Sequence, residues 1–239
     1  MLHRPAFAKW SETVSPAVLY RLMVWFSPAF PVGAFSYSSG IEWAVEAGDI
    51  QDAKMLECWL KVMLSHGSGY CDAVFLVQTH HAVTTRDDAL LHVVAERAPA
   101  MAASKERFIE TTQQGQAFLD TMRATWPCAA LDRLVKIWHG QIALPVAAGV
   151  ASAGHGMPVE ATVVAYLQAM MANLVSAGVR LVPLGQTDGQ RVVAGLETDI
   201  AAAAERALAA SLDDVASCAL RADLATMRHE AQYTRLFRS

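Results

Sequence analysis

Apolar residues recur at helical spacing along nearly the whole chain, and no strand-like alternation of useful length interrupts them. Leu19, Leu22, Met23 and Phe26 fall at i, i+3, i+4 and i+7. Leu56, Trp59, Leu60 and Met63 repeat the pattern, as do Leu131, Leu134, Val135 and Trp138. Start signals agree with the stripes. Ser15-Pro16 precedes the first, Asp52 the third, and Gly156-Met157-Pro158 the longest apolar run. Gly48 fits the C-terminal cap of a helix begun near Ser39, where Ser39 and Glu42 have capping-box spacing. The helical segments predicted are 16–26, 39–47, 52–82 with a weak point at Gly67-Ser68-Gly69, 86–97, 100–125, 129–139, 145–154, 158–182, 188–209 and 212–234. Connections are short, with no low-complexity linker and no repeat. The pattern predicts an all-α fold: a single compact domain of about ten helices over 1–239, with mobile arms at 1–14 and 233–239.

Composition sharpens this picture. Of 239 residues, 54% are hydrophobic and 18% charged, which is a core-rich globular balance rather than a disordered one. The net charge of -4 gives no reason to expect nucleic-acid binding. Residues 161–179 carry no charge and are long enough to be scored as a membrane span. Gln168, Asn173, Ser176 and Gly178, and the lack of an aromatic belt or Lys/Arg cluster at either end, favour a buried central helix. Met1 to Trp10 carries His3, Arg4 and Lys9 without an apolar run, so no signal peptide is expected. Cys58, Cys71, Cys128 and Cys218 are far apart and form no C-x-x-C, which fits free thiols in a reduced cytoplasmic protein.

The chemistry of an enzyme is hard to find. The chain has no P-loop, no H-E-x-x-H and no G-x-S-x-G. Gly185-Gln186-Thr187-Asp188-Gly189-Gln190 reads either as an anion nest or as a helix connection capped by Thr187 or Asp188. The adjacent His80 and His81 sit about 100° apart on a helix and cannot easily chelate together. His66 and Cys71 make a weak pair, so no tight metal site is expected within one chain. A cleft using Glu42, His155 or Asp188 would be needed for an enzymatic reading.

Two segments look built for contact instead. The stretch from Ser27 to Glu42, SPAFPVGAFSYSSGIE, joins two prolines and a glycine to three aromatics and a run of serines. It either plugs the core with its aromatics or presents them to a partner. The ending Arg228 to Ser239, RHEAQYTRLFRS, alternates cationic and apolar groups. It either folds back on its own domain or forms an arm that orders on a partner, which is the reading preferred from sequence.

Those two segments, with Asn173 to Gln186 (NLVSAGVRLVPLGQ), resemble in order the signature motifs of the UreF family of urease accessory proteins. Phe30 and Ile41 stand where that family favours leucine, and residues from about Thr84 to Ala130 carry less of the signature. The resemblance implies an all-α homodimer that is not an enzyme. It implies an assembly chaperone working in the cytoplasm with UreD (also called UreH), with the GTPase UreG and with the urease apoprotein. It implies no tightly bound cofactor: nickel is handled by the complex and GTP is bound by UreG. The matching positions expected to bind partners are Phe35, Tyr37, Glu42, Arg180, Gln186, Tyr233, Arg235 and Arg238. The tail and first motif would serve UreD; Arg180, Gln186 and Glu42 would face or support UreG. A membrane-associated protein using residues 161–179 is the other alternative.

Overall fold

A computed structural model describes residues 14–239, so the arm expected at 1–14 lies, save Val14, outside the described residues. Among the described residues there are helices and no strands. Twelve α-helices follow in order: α1 (Pro16–Trp25), α2 (Ile41–Glu46), α3 (Ala53–His66), α4 (Ser68–Thr84), α5 (Asp88–Ala100), α6 (Lys105–Thr125), α7 (Ala129–Ile137), α8 (Leu144–Gly154), α9 (Val159–Leu181), α10 (Gln186–Gly195), α11 (Glu197–Ala209) and α12 (Leu220–His229).

Local chemistry explains most boundaries. Ser15 accepts from the Val18 amide and Asp52 from the Met55 amide, so both expected caps form. Asp87 and Ser104 cap α5 and α6 in the same way. Gly48 ends α2 in the left-handed region at φ 80°. The break expected at Gly67 separates α3 from α4, because a Cβ there would strike Ala219 at 2.9 Å.

Three expectations need correction. Ser39 is not the cap of α2. It sits at φ 50°, its hydroxyl donates to the Glu110 carboxylate, and Gly40 occupies the cap position. The segment 188–209 is two helices, broken by a turn at Leu196. The segment 212–234 is a 3-10 turn at Leu212–Asp214, an irregular stretch tied by the Cys218 amide to the His66 carbonyl, and only then α12.

The core runs from Leu22 to Ala225 and is centred on α4 and α8. Ten of the 17 residues of α4 are buried, Phe75, Leu76 and Val74 almost completely. Each such side chain contributes about 1.5–3 kcal/mol by leaving water. The apolar α9 is therefore not the centre. It is long and apolar enough to cross a membrane, but half of its most apolar window is buried inside the fold. One face, through Val163, Tyr166, Leu167, Met171 and Leu174, meets the core. The stripe predicted for α1 is only half inward: Leu22 is buried and Phe26 part-buried, while Leu19 and Met23 are exposed.

Candidate functional site

The site begins with the loop between α1 and α2. Its aromatics divide. Phe30 is buried against Phe118, ring centroids 5.1 Å apart, and Tyr37 is buried with its hydroxyl donating to Gln113 at 2.6 Å. Phe35 is 69% exposed on a 3-10 turn at Ala34–Ser36. The loop thus plugs the core with Phe30 and Tyr37 and leaves Phe35 in solvent. At its end Gly40 takes φ +80°, and an added Cβ would lie 2.7 Å from the Thr226 nitrogen. Only glycine lets α12 cross this close.

That crossing brings α2, α6, α12 and the tail together around a buried charge cluster. Glu42 enters from the first turn of α2, and Glu106, Arg107 and Glu110 from the first turns of α6. His229, the last residue of α12, is fully buried between two of these acids. Its Nε2 lies 3.0 Å from Glu42 and its Nδ1 2.7 Å from Glu106. Arg107 donates to Asp72 of α4 at 2.7 Å and reaches Glu110 at 3.5 Å. Tyr166 of α9 donates to the same Asp72 oxygen at 2.8 Å.

Burial raises the Asp72 pKa above the usual carboxylate range, against the pull of Arg107 and Tyr166. Burial also raises the Tyr166 pKa well above normal, and Asp72 adds to this. For Arg107, burial acts downward but the charges of Asp72 and Glu110 outweigh it, and the guanidinium stays charged. Neighbouring Cys71 is pushed up to about 12 by burial and then by Asp72, which makes it an inert thiol.

The tail closes over this cluster. The Leu236 and Phe237 amides donate to Glu42 at 2.6 and 2.9 Å. Arg235 donates to Glu106 at 2.8 Å, and the Arg238 amide donates to the Ser36 carbonyl. The Ser38 amide and hydroxyl donate to the Ser239 carbonyl, and the Ser239 hydroxyl donates to Glu110. Phe237 is buried. Above its ring, 4.4 Å from the centroid, lies the Arg180 guanidinium, which also donates to the Phe35 carbonyl at 3.2 Å. The tail expected to order on a partner is here docked on its own domain, because its amides and cations satisfy acids that would otherwise be buried unpaired.

The expected residues fall into two groups. Phe35, Arg180, Tyr233, Arg235 and Arg238 are exposed along or beside the docked tail, and Tyr233 is fully exposed. Tyr37 and Glu42, also expected to bind partners, are buried and do not face solvent. Gln186 is exposed at the first residue of α10. The polar stretch around it is no nest: Asp188 accepts from the Gly185 amide, and Gly189 is buried against Val179. A cavity of about 260 Å³ lies beside the loop, between Phe26, Phe118 and α9, with Arg107 and Glu110 in its lining.

The sequence reading missed Asp72, Glu106, Arg107, Glu110, Tyr166 and His229. One signal was present: Asp72 is a lone acid within the apolar run Tyr70 to Val77, and such an acid needs a buried cation.

The cluster has no solvent-facing nucleophile or base. Glu42 lies under the tail, His155 is held by Arg21 and the Trp126 carbonyl, and Asp188 pairs with Arg191. The three do not make one cleft. Among the described residues, no three His, Cys, Asp or Glu side chains converge to hold a metal ion. The arrangement is a clamp that joins loop, helix and tail.

Comparison with known proteins finds relatives over nearly the whole chain. The sequence pattern of the UreF family matches residues 50–197. A urease accessory protein UreF from Rhodopseudomonas palustris (strain BisB18) is 58% identical over 223 residues, 93% of this chain and 92% of its own length. UreF proteins of Bradyrhizobium diazoefficiens (56% identical; 93% of this chain, 92% of its own length) and of Bradyrhizobium sp. strain BTAi1 (55% identical; 97% and 96%) are similar over the same extent.

Proposed function

Because the chain belongs to the UreF family of urease accessory proteins, and so is an accessory factor in urease maturation rather than an enzyme, we propose that it works by bridging UreD and the GTPase UreG. In this reading it is a cytoplasmic assembly chaperone that binds no cofactor tightly. Nickel is the cargo of the complex, and GTP is bound by UreG. The observation that carries the reading is the contact of Arg180 with both the Phe35 carbonyl and the Phe237 ring, which makes loop, α9 and tail one continuous surface.

On that surface the outward side chains are Tyr233, Leu236 and Arg238 from the tail and Phe35 from the loop. Aromatics and arginine are the usual anchors of protein interfaces. UreD reads the docked tail and the first motif; Arg180, Gln186 and, through the loop it supports, Glu42 serve the side facing UreG. The chain has no phosphate-cradling motif, so it acts on GTP hydrolysis only through UreG, by placing groups near its switch regions or by setting its dimer state. A homodimer fits the apolar groups left in water on α1, where Leu19, Tyr20 and Met23 are each more than half exposed.

The purified Arg180→Ala variant tests this division. UreG binding or GTP turnover by UreG should change more than UreD binding, which Arg180 reaches only through its contacts with Phe35 and Phe237, and the oligomeric state seen by light scattering should stay as in the parent chain. Loss of UreD binding alone, or of folding, would assign Arg180 to structure.

A further inference from the structure

One stripe of α6 runs from the charge cluster into the cavity of about 260 Å³ beside the loop. Arg107, Glu110, Gln114 and Phe118 follow at i, i+3, i+7 and i+11, a single face at about 3.6 residues per turn. All four line the cavity. The first two already have partners. Arg107 lies between Asp72 and Glu110, and Glu110 also accepts from the Ser39 and Ser239 hydroxyls. Gln114 differs from them. It is only 5% exposed, and its side-chain amide has no hydrogen-bond partner among the described residues. A buried amide left unmatched is destabilising, and native folds rarely carry one.

Beyond Gln114 the wall turns apolar. Phe26 and Phe118 stack with ring centroids 6.4 Å apart and 19° between their planes, and Leu144, Met170 and Leu174 stand with them. An apolar cavity of about 150 Å³ takes up benzene, so this larger volume has room for one ring and a small head group. An apolar pocket with a few polar groups converging at one end is the usual form of a small-molecule site.

The head group follows from which partner is free. An anionic head would need Arg107, which Asp72 and Glu110 already hold. A cationic head would have to draw one of those acids away from Arg107. The neutral Gln114 amide offers N–H donors beside a C=O acceptor, and a second amide meets both at once. We propose that this cavity binds a small neutral ligand, a flat apolar body carrying a carboxamide or lactam, with its amide paired to Gln114 and its body against Phe118 and α9. Val32, Ala34 and Phe35 line the same cavity, so the occupant lies against the loop that carries the exposed Phe35.

Benzamide and benzoate, titrated separately into the full-length chain with ¹³C-labelled methionine methyls, test this. Met170 reports on the cavity, and the exposed Met227 of α12 controls for binding elsewhere. Benzamide should shift Met170 saturably and leave Met227 in place, and benzoate should bind more weakly. Gln114→Leu should weaken benzamide binding by about tenfold, the loss of one amide pairing, with the other methionine signals where they were. No saturable shift at Met170, benzoate binding as tightly as benzamide, or Gln114→Leu binding benzamide as the parent does would each overturn the proposal. Should that variant fail to fold, nuclear Overhauser contacts of bound benzamide in the unaltered chain decide. Ring contacts to Met170 together with amide contacts to Gln114 support the proposal, and ring contacts without the amide ones overturn it.

Discussion

Arg107 shows how much a single residue holds together. It is the buried cation between Asp72 and Glu110, and Asp72 in turn accepts from Tyr166. Removing one partner of a buried pair leaves the other charge without compensation, which costs about 3–5 kcal/mol. Arg107→Met should therefore lower unfolding stability by that order in a denaturant titration; a change below about 1 kcal/mol would show that the acids find other partners. His80 supplies a pH test. Burial lowers its pKa, and its Nε2 contacts the Met157 carbonyl at 2.8 Å, where only a protonated nitrogen can donate. A histidine lowered in the folded state contributes stability at high pH that is lost as pH falls through the range where the unfolded ring, near 6.5, takes up its proton. Between pH 7 and 5.5 the denaturation midpoint should fall more for the parent chain than for His80→Gln. Such side-chain partnerships were barely legible in the sequence. Glu106, Arg107 and Glu110 look like a solvated helix face, and only the tail and α4, far away in the chain, turn that face inward.

At the scale of elements, the sequence was read best where one residue caps one helix. Ser15, Asp52 and Gly48 act locally, and their helices begin or end as expected. It was read worst where a distant element intrudes. The His66 carbonyl holds the irregular stretch before α12, where the pattern predicts continuous helix. The apolar stripe of α1 shows a different limit. Periodicity gives a face, and burial of that face depends on what covers it; Leu19 and Met23 remain in water. The Gly40 crossing is the element-level contact with the sharpest consequence. Gly40→Ala adds a Cβ against the α12 backbone at a left-handed φ, so it should destabilise the chain by about 1–3 kcal/mol. The damage should centre on α2 and α12, and loss of protection there, with α4 and α8 unchanged, would be visible by hydrogen exchange. Equal loosening throughout would mean that α12 is not a separable layer.

For the whole molecule, the all-helical architecture was legible because amphipathic periodicity recurs in nearly every segment. The placement of the centre was not. The longest helix, α9, which is apolar enough to cross a membrane, lies half exposed, while α4 with its single acid is buried on nearly all sides. The tail was read from sequence as an arm that orders on a partner, whereas in the structure it is docked on its own domain. Deleting residues 233–239 should leave the α4–α8 core folded, since among these residues Phe237 and Ser239 alone are buried. The deletion should weaken UreD binding and block urease activation.

The central claim is that this chain joins UreD and UreG in one assembly. The most direct measurement is size-exclusion chromatography with light scattering of the purified chain mixed with both proteins, with and without residues 233–239. The account predicts a single particle containing all three proteins for the full chain, and loss of UreD from that particle for the shortened one. Two separate binary complexes that never merge, or a three-protein particle indifferent to the tail, would contradict it.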